Sequence, residues 1–224
     1  MKITWRGDFC FEITDSLKKK EKVVIVIDPF SKEIYPKPQK MGADILLMNF
    51  SDKDNIDGIT SQGISGNPFI ASSPGEYEIK GVFIQGIHAF HDNVQGKKAG
   101  ETTIFVINVL GIKLCHLGGL GQEELSDSQL EKIGNIDVLM VPVGGVNTID
   151  GKEATKIVSQ LEPKMVIPMH YKTAGLKIKL DPLDTFLKAM GQKETEPQDK
   201  LVITKRDLTE EKAELIVLSP ISQN

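Results

Sequence analysis

The chain has 224 residues, which fits one large domain or two small ones, and 40% of them are hydrophobic, enough for a full core. A formal net charge of -4 and a pI of about 5.7 argue against nucleic-acid binding through a broad basic surface. Two cysteines, Cys10 and Cys115, give no disulfide framework and fit a reducing compartment. With no apolar run of membrane-spanning length and no signal-peptide h-region at the N-terminus, the expectation is a soluble cytoplasmic protein without a membrane partner.

Residues 1–14 carry Ile3, Trp5, Phe9, Phe11 and Ile13 in an imperfect alternation around Gly7, which predicts a strand, a turn and a second strand. A charged hairpin tip over residues 18–22 leads into a β-branched strand, 23–27, closed by Asp28-Pro29. After a proline-rich loop around Tyr35, the apolar run 45–48 predicts a buried strand. It stops in a polar loop with Asp52, Asp54, Asn55 and Asp57, which is either an acidic solvated turn or a binding loop aimed by the sheet. Residues 56–69, with Gly58, Gly63, Gly66 and Pro68, cannot form a long helix. Two short strands around Gly81 follow, then a strand pair, 102–109 and 112–115, turning at Leu110-Gly111.

The first convincing helix is capped by Ser126 or Asp127, buries Leu130 and Ile133, and ends at Gly134. A buried strand, 138–141, precedes a helix over 152–161 with Ala154, Ile157, Val158 and Leu161 inward. The remaining elements are a strand at 165–167, a helix at 182–190 and closing strands at 201–204 and 215–218. Four strands thus end in polar or glycine-rich loops, at 49–55, 88–92, 116–121 and 169–173. Histidines fall in three of them, as His88 and His91, His116, and His170. Histidines gathered at several strand ends point to a metal or an acid–base site, where a lone one would be a core or surface residue.

Several segments taken together resemble the metallo-β-lactamase fold, in the branch similar to the ascorbate-6-phosphate lactonase. They are Ile3-Thr4-Trp5-Arg6-Gly7-Asp8-Phe9-Cys10-Phe11, Val26-Ile27-Asp28-Pro29-Phe30, His91-Asp92 followed by Thr102-Thr103-Ile104-Phe105, His116-Leu117-Gly118-Gly119-Leu120-Gly121 and Pro168-Met169-His170-Tyr171. Pro74-Gly75-Glu76-Tyr77-Glu78-Ile79 and Pro142-Val143-Gly144-Gly145 also match. Each is weak alone; seven in chain order are specific. The resemblance implies a single domain over 1–224, an α/β fold in which two mixed β-sheets lie face to face with helices outside. This αββα four-layer sandwich would carry a metal cleft along one edge.

The same resemblance exposes departures. Aligned on Ala43-Asp44-Ile45, the four ligand positions of the family's HxHxDH motif fall on Phe50, Asp52, Asp54 and Asn55, so only the aspartate is kept. His91 and His170 match later ligand histidines, while the aspartate that bridges two zincs is Gly119. The family's early Gly-His is Gly7-Asp8, and Gln122 stands where a histidine often follows the bridging residue. A dinuclear zinc hydrolase needs imidazole ligands and a carboxylate bridge. Phe50 cannot coordinate, Asn55 offers a neutral amide oxygen, and Gly119 removes the bridge.

Three functions stay open. The fold is kept and the dinuclear zinc chemistry lost, leaving a non-catalytic or binding role with no cofactor. Or one weakly bound divalent metal, Mn, Fe or Zn, is held by Asp52, Asp54, His91 and His170, in a hydrolase of phosphoesters or lactones. Asp54 or His170 would then orient the water. In the third, His116 or Asp8 takes a ligand role. A small-molecule substrate is the partner left open. His116 itself is expected to be a satisfied buried histidine, Cys10 and Cys115 core residues, and Gly144-Gly145 a close backbone approach. Gly118, Gly119 and Gly121 suggest a phosphate cradle but lack the P-loop Lys and Ser/Thr.

Overall fold

A computed structural model describes residues 1–16, 21–29, 40–50, 63–193, 195–208 and 213–221. The chain opens with β1 (Lys2–Gly7), β2 (Cys10–Ser16) and β3 (Lys22–Ile27), an antiparallel meander. A shift in register between Trp5 and Gly7 accounts for the imperfect alternation there. Ile3, Trp5, Phe11 and Ile13 all point into the core. Next come β4 (Met41–Gly42), β5 (Ile45–Leu47), β6 (Ile64–Ser65) and β7 (Phe69–Ala71). Strands β3, β5 and β7 run parallel, and β14 (Leu201–Val202) closes the opposite side. Among the described residues this first sheet has the order β14-β1-β2-β3-β5-β7.

The second sheet begins with β8 (Gly75–Ile79), β9 (Val82–Phe90), β10 (Glu101–Val109) and β11 (Ile112–His116), all antiparallel neighbours. Two crossovers follow. Helix α1 (Asp127–Ile133) leads to β12 (Val138–Pro142), and α2 (Gly151–Leu161) leads to β13 (Met165–Met169). Parallel pairing of β11, β12 and β13 is what such helical crossovers permit. Helix α3 (Leu183–Ala189) and the short β15 (Glu214–Leu215), parallel to β13, complete it.

Side-chain alternation decides which faces meet. Ile25 and Ile27 of β3 join Phe105, Leu139 and Ile167 of the second sheet in one core. Val26 turns the other way, packing with Cys10, Met41, Leu46 and Met48 in a smaller cluster on the far face. The inner face of α2, Ala154, Ile157, Val158 and Leu161, is buried as its 3.6-residue spacing predicts. Two mixed sheets with helices in the crossovers give the expected α/β sandwich. No helix among the described residues is long and apolar enough to cross a membrane.

Some expectations need correction. In α1 the residue buried beside Ile133 is Gln129, not Leu130, which is half-buried. Gln129 is tolerated inside because its amide is fully used: it donates to the His88 carbonyl and bonds Gln122, while closing a capping box with Ser126. His88 lies within β9 rather than beyond it; it is exposed and pairs with Glu101 across the sheet. The closing strands are shorter than the apolar runs suggest: β14 stops at Val202 and β15 at Leu215, beyond which Ile216 N–H still donates to the Val166 carbonyl and Leu218 forms an isolated bridge to Gln198.

Candidate functional site

Parallel strands place their C-terminal ends on one edge, and this fold does so in both sheets. Asp28 follows β3, Asn49 and Phe50 follow β5, His116 ends β11, and His170 follows β13. The turn between β1 and β2 brings Asp8 to the same edge, where its carboxylate bonds His170 across the two sheets.

His170 is the most constrained of these. Its Nδ1 lies 2.5 Å from Asp8 Oδ1, and its backbone N–H donates to the Asp8 carbonyl at 3.2 Å. The ring stacks on Phe9 with centroids 4.1 Å apart and planes 12° apart. Gly144 packs so close to the His170 carbonyl that a Cβ there would collide with it, as expected for a close backbone approach. The other ring nitrogen, Nε2, is buried and has no hydrogen-bond partner among the described residues.

His91 follows β9, and its Nδ1 bonds the Gly119 carbonyl. Phe50 meets its ring edge-on at 5.2 Å. Burial holds His91 below the ordinary imidazole value; the Gly119 carbonyl pulls upward, and charge on nearby His170 pushes down again. Gly119 has ordinary backbone geometry, so positive φ is not what would oppose a side chain there. A Cβ on Gly119 would lie 2.5 Å from His91 Nδ1 and 3.2 Å from Phe50 Cζ. Its neighbours are equally tight: Gly118 abuts the Asn49 side chain, and Gly121 abuts the backbone of His91 and Asp92. These glycines serve close packing between loops, and no phosphate cradle is needed to explain them.

His116 is fully buried and satisfied, as expected. Its Nε2 donates to the Phe9 carbonyl at 3.0 Å, and its Nδ1 accepts from Gly118 N–H at 3.2 Å. Burial lowers it to about 4 against the Phe9 bond, so it is neutral at physiological pH. With both nitrogens engaged it is no ligand in this arrangement, which corrects the third reading for His116. Cys10 and Cys115 are buried and free, and burial raises both thiols.

Two groups escaped sequence reasoning. Asp28 Oδ1 accepts Asn49 N–H at 2.7 Å, while Asp28 Oδ2 and Asn49 Oδ1 are both buried without partners among the described residues. Asp92 organises the loop after His91: its two oxygens accept N–H groups of Val94, Gly96, Lys98 and Ala99 at 2.7–2.8 Å. Burial would raise that carboxyl, but the four donors win and bring it to about 2. An aspartate followed by Asn93, Gly96 and Gly100 is a loop-capping signal that was there to be found.

Of the predicted ligands, His91 and His170 come close enough for their charges to interact. Asp52, Asp54 and Asn55 lie outside the described residues. Among the described residues no group of three or more His, Cys, Asp or Glu is arranged to hold a metal. His170 fits a ligand role, with a buried nitrogen in front that has no partner among the described residues and a carboxylate behind. Position 119 does not fit a bridging role: it has no side chain, and His91 fills the space one would take.

The chain matches the family described as Beta-lactamase superfamily domain over residues 2–170. It belongs to the metallo-β-lactamase superfamily. A relative from Thermococcus onnurineus, named as a UPF0173 metal-dependent hydrolase, is 30% identical over 217 residues, covering 86% of this chain and 93% of its own length. One from Methanosarcina mazei with the same name is 29% identical, covering 86% and 92%. A crystal structure from Thermotoga maritima, described as a candidate Zn-dependent hydrolase of the metallo-β-lactamase superfamily, is 36% identical with a TM-score of 0.75, covering 97% of this chain and 99% of that one. A metallo hydrolase from Ignicoccus hospitalis shares the fold at 18% identity and a TM-score of 0.62.

Proposed function

We propose that this chain is a metallo-β-lactamase-superfamily member that has given up the dinuclear zinc centre, and that its cleft serves binding of a small molecule. The observation that carries this reading is His91 and Phe50 packed into the space that a side chain at residue 119 would occupy. Two metals in contact need a ligand between them, and here that place holds an imidazole bonded to the Gly119 carbonyl. Phe50, at the first position of the family's histidine motif, contributes an apolar ring instead of a nitrogen.

A second reading has its own support in the buried Nε2 of His170, which has no partner among the described residues. It is a mononuclear hydrolase of phosphoester or lactone substrates, with Mn, Fe or Zn held by His170, His91, Asp52 and Asp54. The chemistry such a metal supplies is polarisation of the substrate oxygen and acidification of a water. In this chain Asp8 orients His170, Phe9 shields one face of its ring from water, and Gly119 holds His91 through its carbonyl.

Elemental analysis of protein purified without a histidine tag separates the readings. The first expects well under one zinc per chain. Close to one Mn or Fe per chain supports the second, and two zincs per chain sinks the first.

A further inference from the structure

Among the described residues the two main sheets end in four edge strands, β14 and β7 in the first and β15 and β8 in the second. Unpaired N–H and C=O groups along such an edge invite another strand, and short length or charge is the usual guard. Three of the four are guarded. Strands β14 and β15 are two residues long, with Lys200 just before the first and Glu214 on the second. Strand β8 carries exposed Glu76 and Glu78. The exception is β7. No charged residue stands between Asp57 and Glu76, in a chain that is 26% charged. On β7 the adjacent Phe69 and Ile70 are 42% and 41% exposed. Phe69 N–H donates to the Asp44 carbonyl and the Ala71 carbonyl accepts Met48 N–H, so residues 69 and 71 bond toward β5. The N–H and C=O of Ile70, between them, point away from the sheet, where no described residue bonds them.

We propose that β7 is an interface between two copies of this chain: it pairs antiparallel with the β7 of a second copy, with Ile70 on the two-fold axis. A two-fold contact sets one patch against itself, so the patch must be self-complementary. A charged edge fails that requirement: β8 paired with its own copy about Tyr77 would set Glu76 against Glu78. Strand β7 meets it. Centred on Ile70, the two copies exchange both N–H···O bonds at one hydrogen-bonded pair, the two Ile70 side chains lie side by side, and Phe69 falls opposite the partner's Ala71. A strand with charged side chains at these places would set them against Phe69 and Ile70, so the occupant is uncharged and apolar there, as β7 itself is. The charges on β8 confine the join to the first sheet. Since β3, β5 and β7 run parallel, an antiparallel join turns the two strand-end edges in opposite directions. It neither completes nor closes the candidate site, and it stands independently of both readings above.

The test uses the full-length, untagged chain. Sedimentation velocity should give twice the 24.7 kDa of one chain, and raised salt should not weaken the dimer, since no charge pairs across it. Ile70→Lys sets two ammonium groups side by side on the axis and should weaken association at least about 100-fold. Ile70→Pro removes the outward N–H, at an edge position where proline is tolerated, and should also leave monomers. Far-UV circular dichroism and urea denaturation check that each variant is folded. Ile70→Cys tests the register. Paired Cα atoms at a hydrogen-bonded antiparallel site lie about 5.5 Å apart, within disulfide reach, so mild oxidation should cross-link the dimer. Val202→Cys, on the opposite edge and 62% exposed, should stay uncross-linked, and the native cysteines are buried. A parent that is monomeric at about 100 μM overturns the proposal. So does a dimer that survives Ile70→Lys or Ile70→Pro, or Val202→Cys cross-linking as readily as Ile70→Cys. An assembly larger than a dimer supports it only if Ile70→Lys halves its mass, and otherwise overturns it. If Ile70→Lys does not fold, Ile70→Pro and Ile70→Cys decide.

Discussion

His91 occupies the side-chain space of Gly119: its Nδ1 bonds the Gly119 carbonyl, and a Cβ at residue 119 would sit 2.5 Å from that nitrogen. Gly119→Ala must therefore push the imidazole aside or shift the loop. Overpacking of this kind costs about 1–3 kcal/mol. In a His91→Ala background the space is free, and the cost should shrink. Urea denaturation of the two single variants and the double variant measures the coupling, expected at about 0.5–3 kcal/mol in favour of the pair. Additive effects would mean that the contact is not what excludes a side chain there.

The same contact bears on restoring the family's ligands. Phe50→His, Asp52→His, Asn55→His and Gly119→Asp together would rebuild the motif around Asp54, His91 and His170. Backbone strain is no obstacle at residue 119, because its φ is not positive. The obstacle is His91, which must rotate away from the Gly119 carbonyl. That rotation also frees its Nδ1. The quadruple variant should fold, be less stable than the parent without metal, and gain tight zinc binding in titration against a chromogenic chelator. A folded variant taking up no more zinc than the parent would show that the loop alignment is wrong.

The fold was legible because its signals are local. Strand β3 is a continuous β-branched run, helix α2 carries one strong 3.6-residue periodicity, and Gly134 ends α1 as its sequence suggests. The burial of Gln129 in place of Leu130 was not legible because it depends on a partner carbonyl at His88, 41 residues away in sequence. The candidate site was legible only residue by residue. His91 and His170 stood out as histidines at strand ends, but nothing local joins Asp8 to His170 across a separation of 162 residues. Likewise Gly119 reads as an empty ligand position, whereas the side chain that fills its space is 28 residues upstream.

Cys10 and Cys115 are both at 0% exposure, and burial raises their thiols above the ordinary value, with Asp28 adding to the effect at Cys10. Thiolate is the reactive form, so neither should react while the chain is folded. A disulfide reagent such as DTNB should titrate no thiols in native protein and two after denaturation. A fast reaction in the native state would place one of them at an opening that this packing does not have.

Asp28 closes β3 with a buried carboxyl whose Oδ1 accepts Asn49 N–H, while Oδ2 and Asn49 Oδ1 have no partner among the described residues. Burial pushes the Asp28 carboxyl well above the carboxylate range; the Asn49 N–H opposes this, and the charge on Asp8 adds to it. The folded state therefore holds the proton more tightly than the unfolded chain does. Asp28 stabilises fully below its unfolded value of about 4, and this contribution is lost as pH rises through the folded value. Asparagine has no charge to bury, puts N–H donors in place of the oxygen that has no partner among the described residues, and suits the left-handed backbone at residue 28 (φ 42°). Asp28→Asn should match the parent near pH 4 and exceed it increasingly with rising pH, by about 1 kcal/mol or more once the parent carboxyl ionises. Urea denaturation of both proteins from pH 4 to pH 9 measures this difference directly. An equal loss of stability at every pH would mean that the carboxyl is needed as it stands, with its second oxygen engaged by a donor.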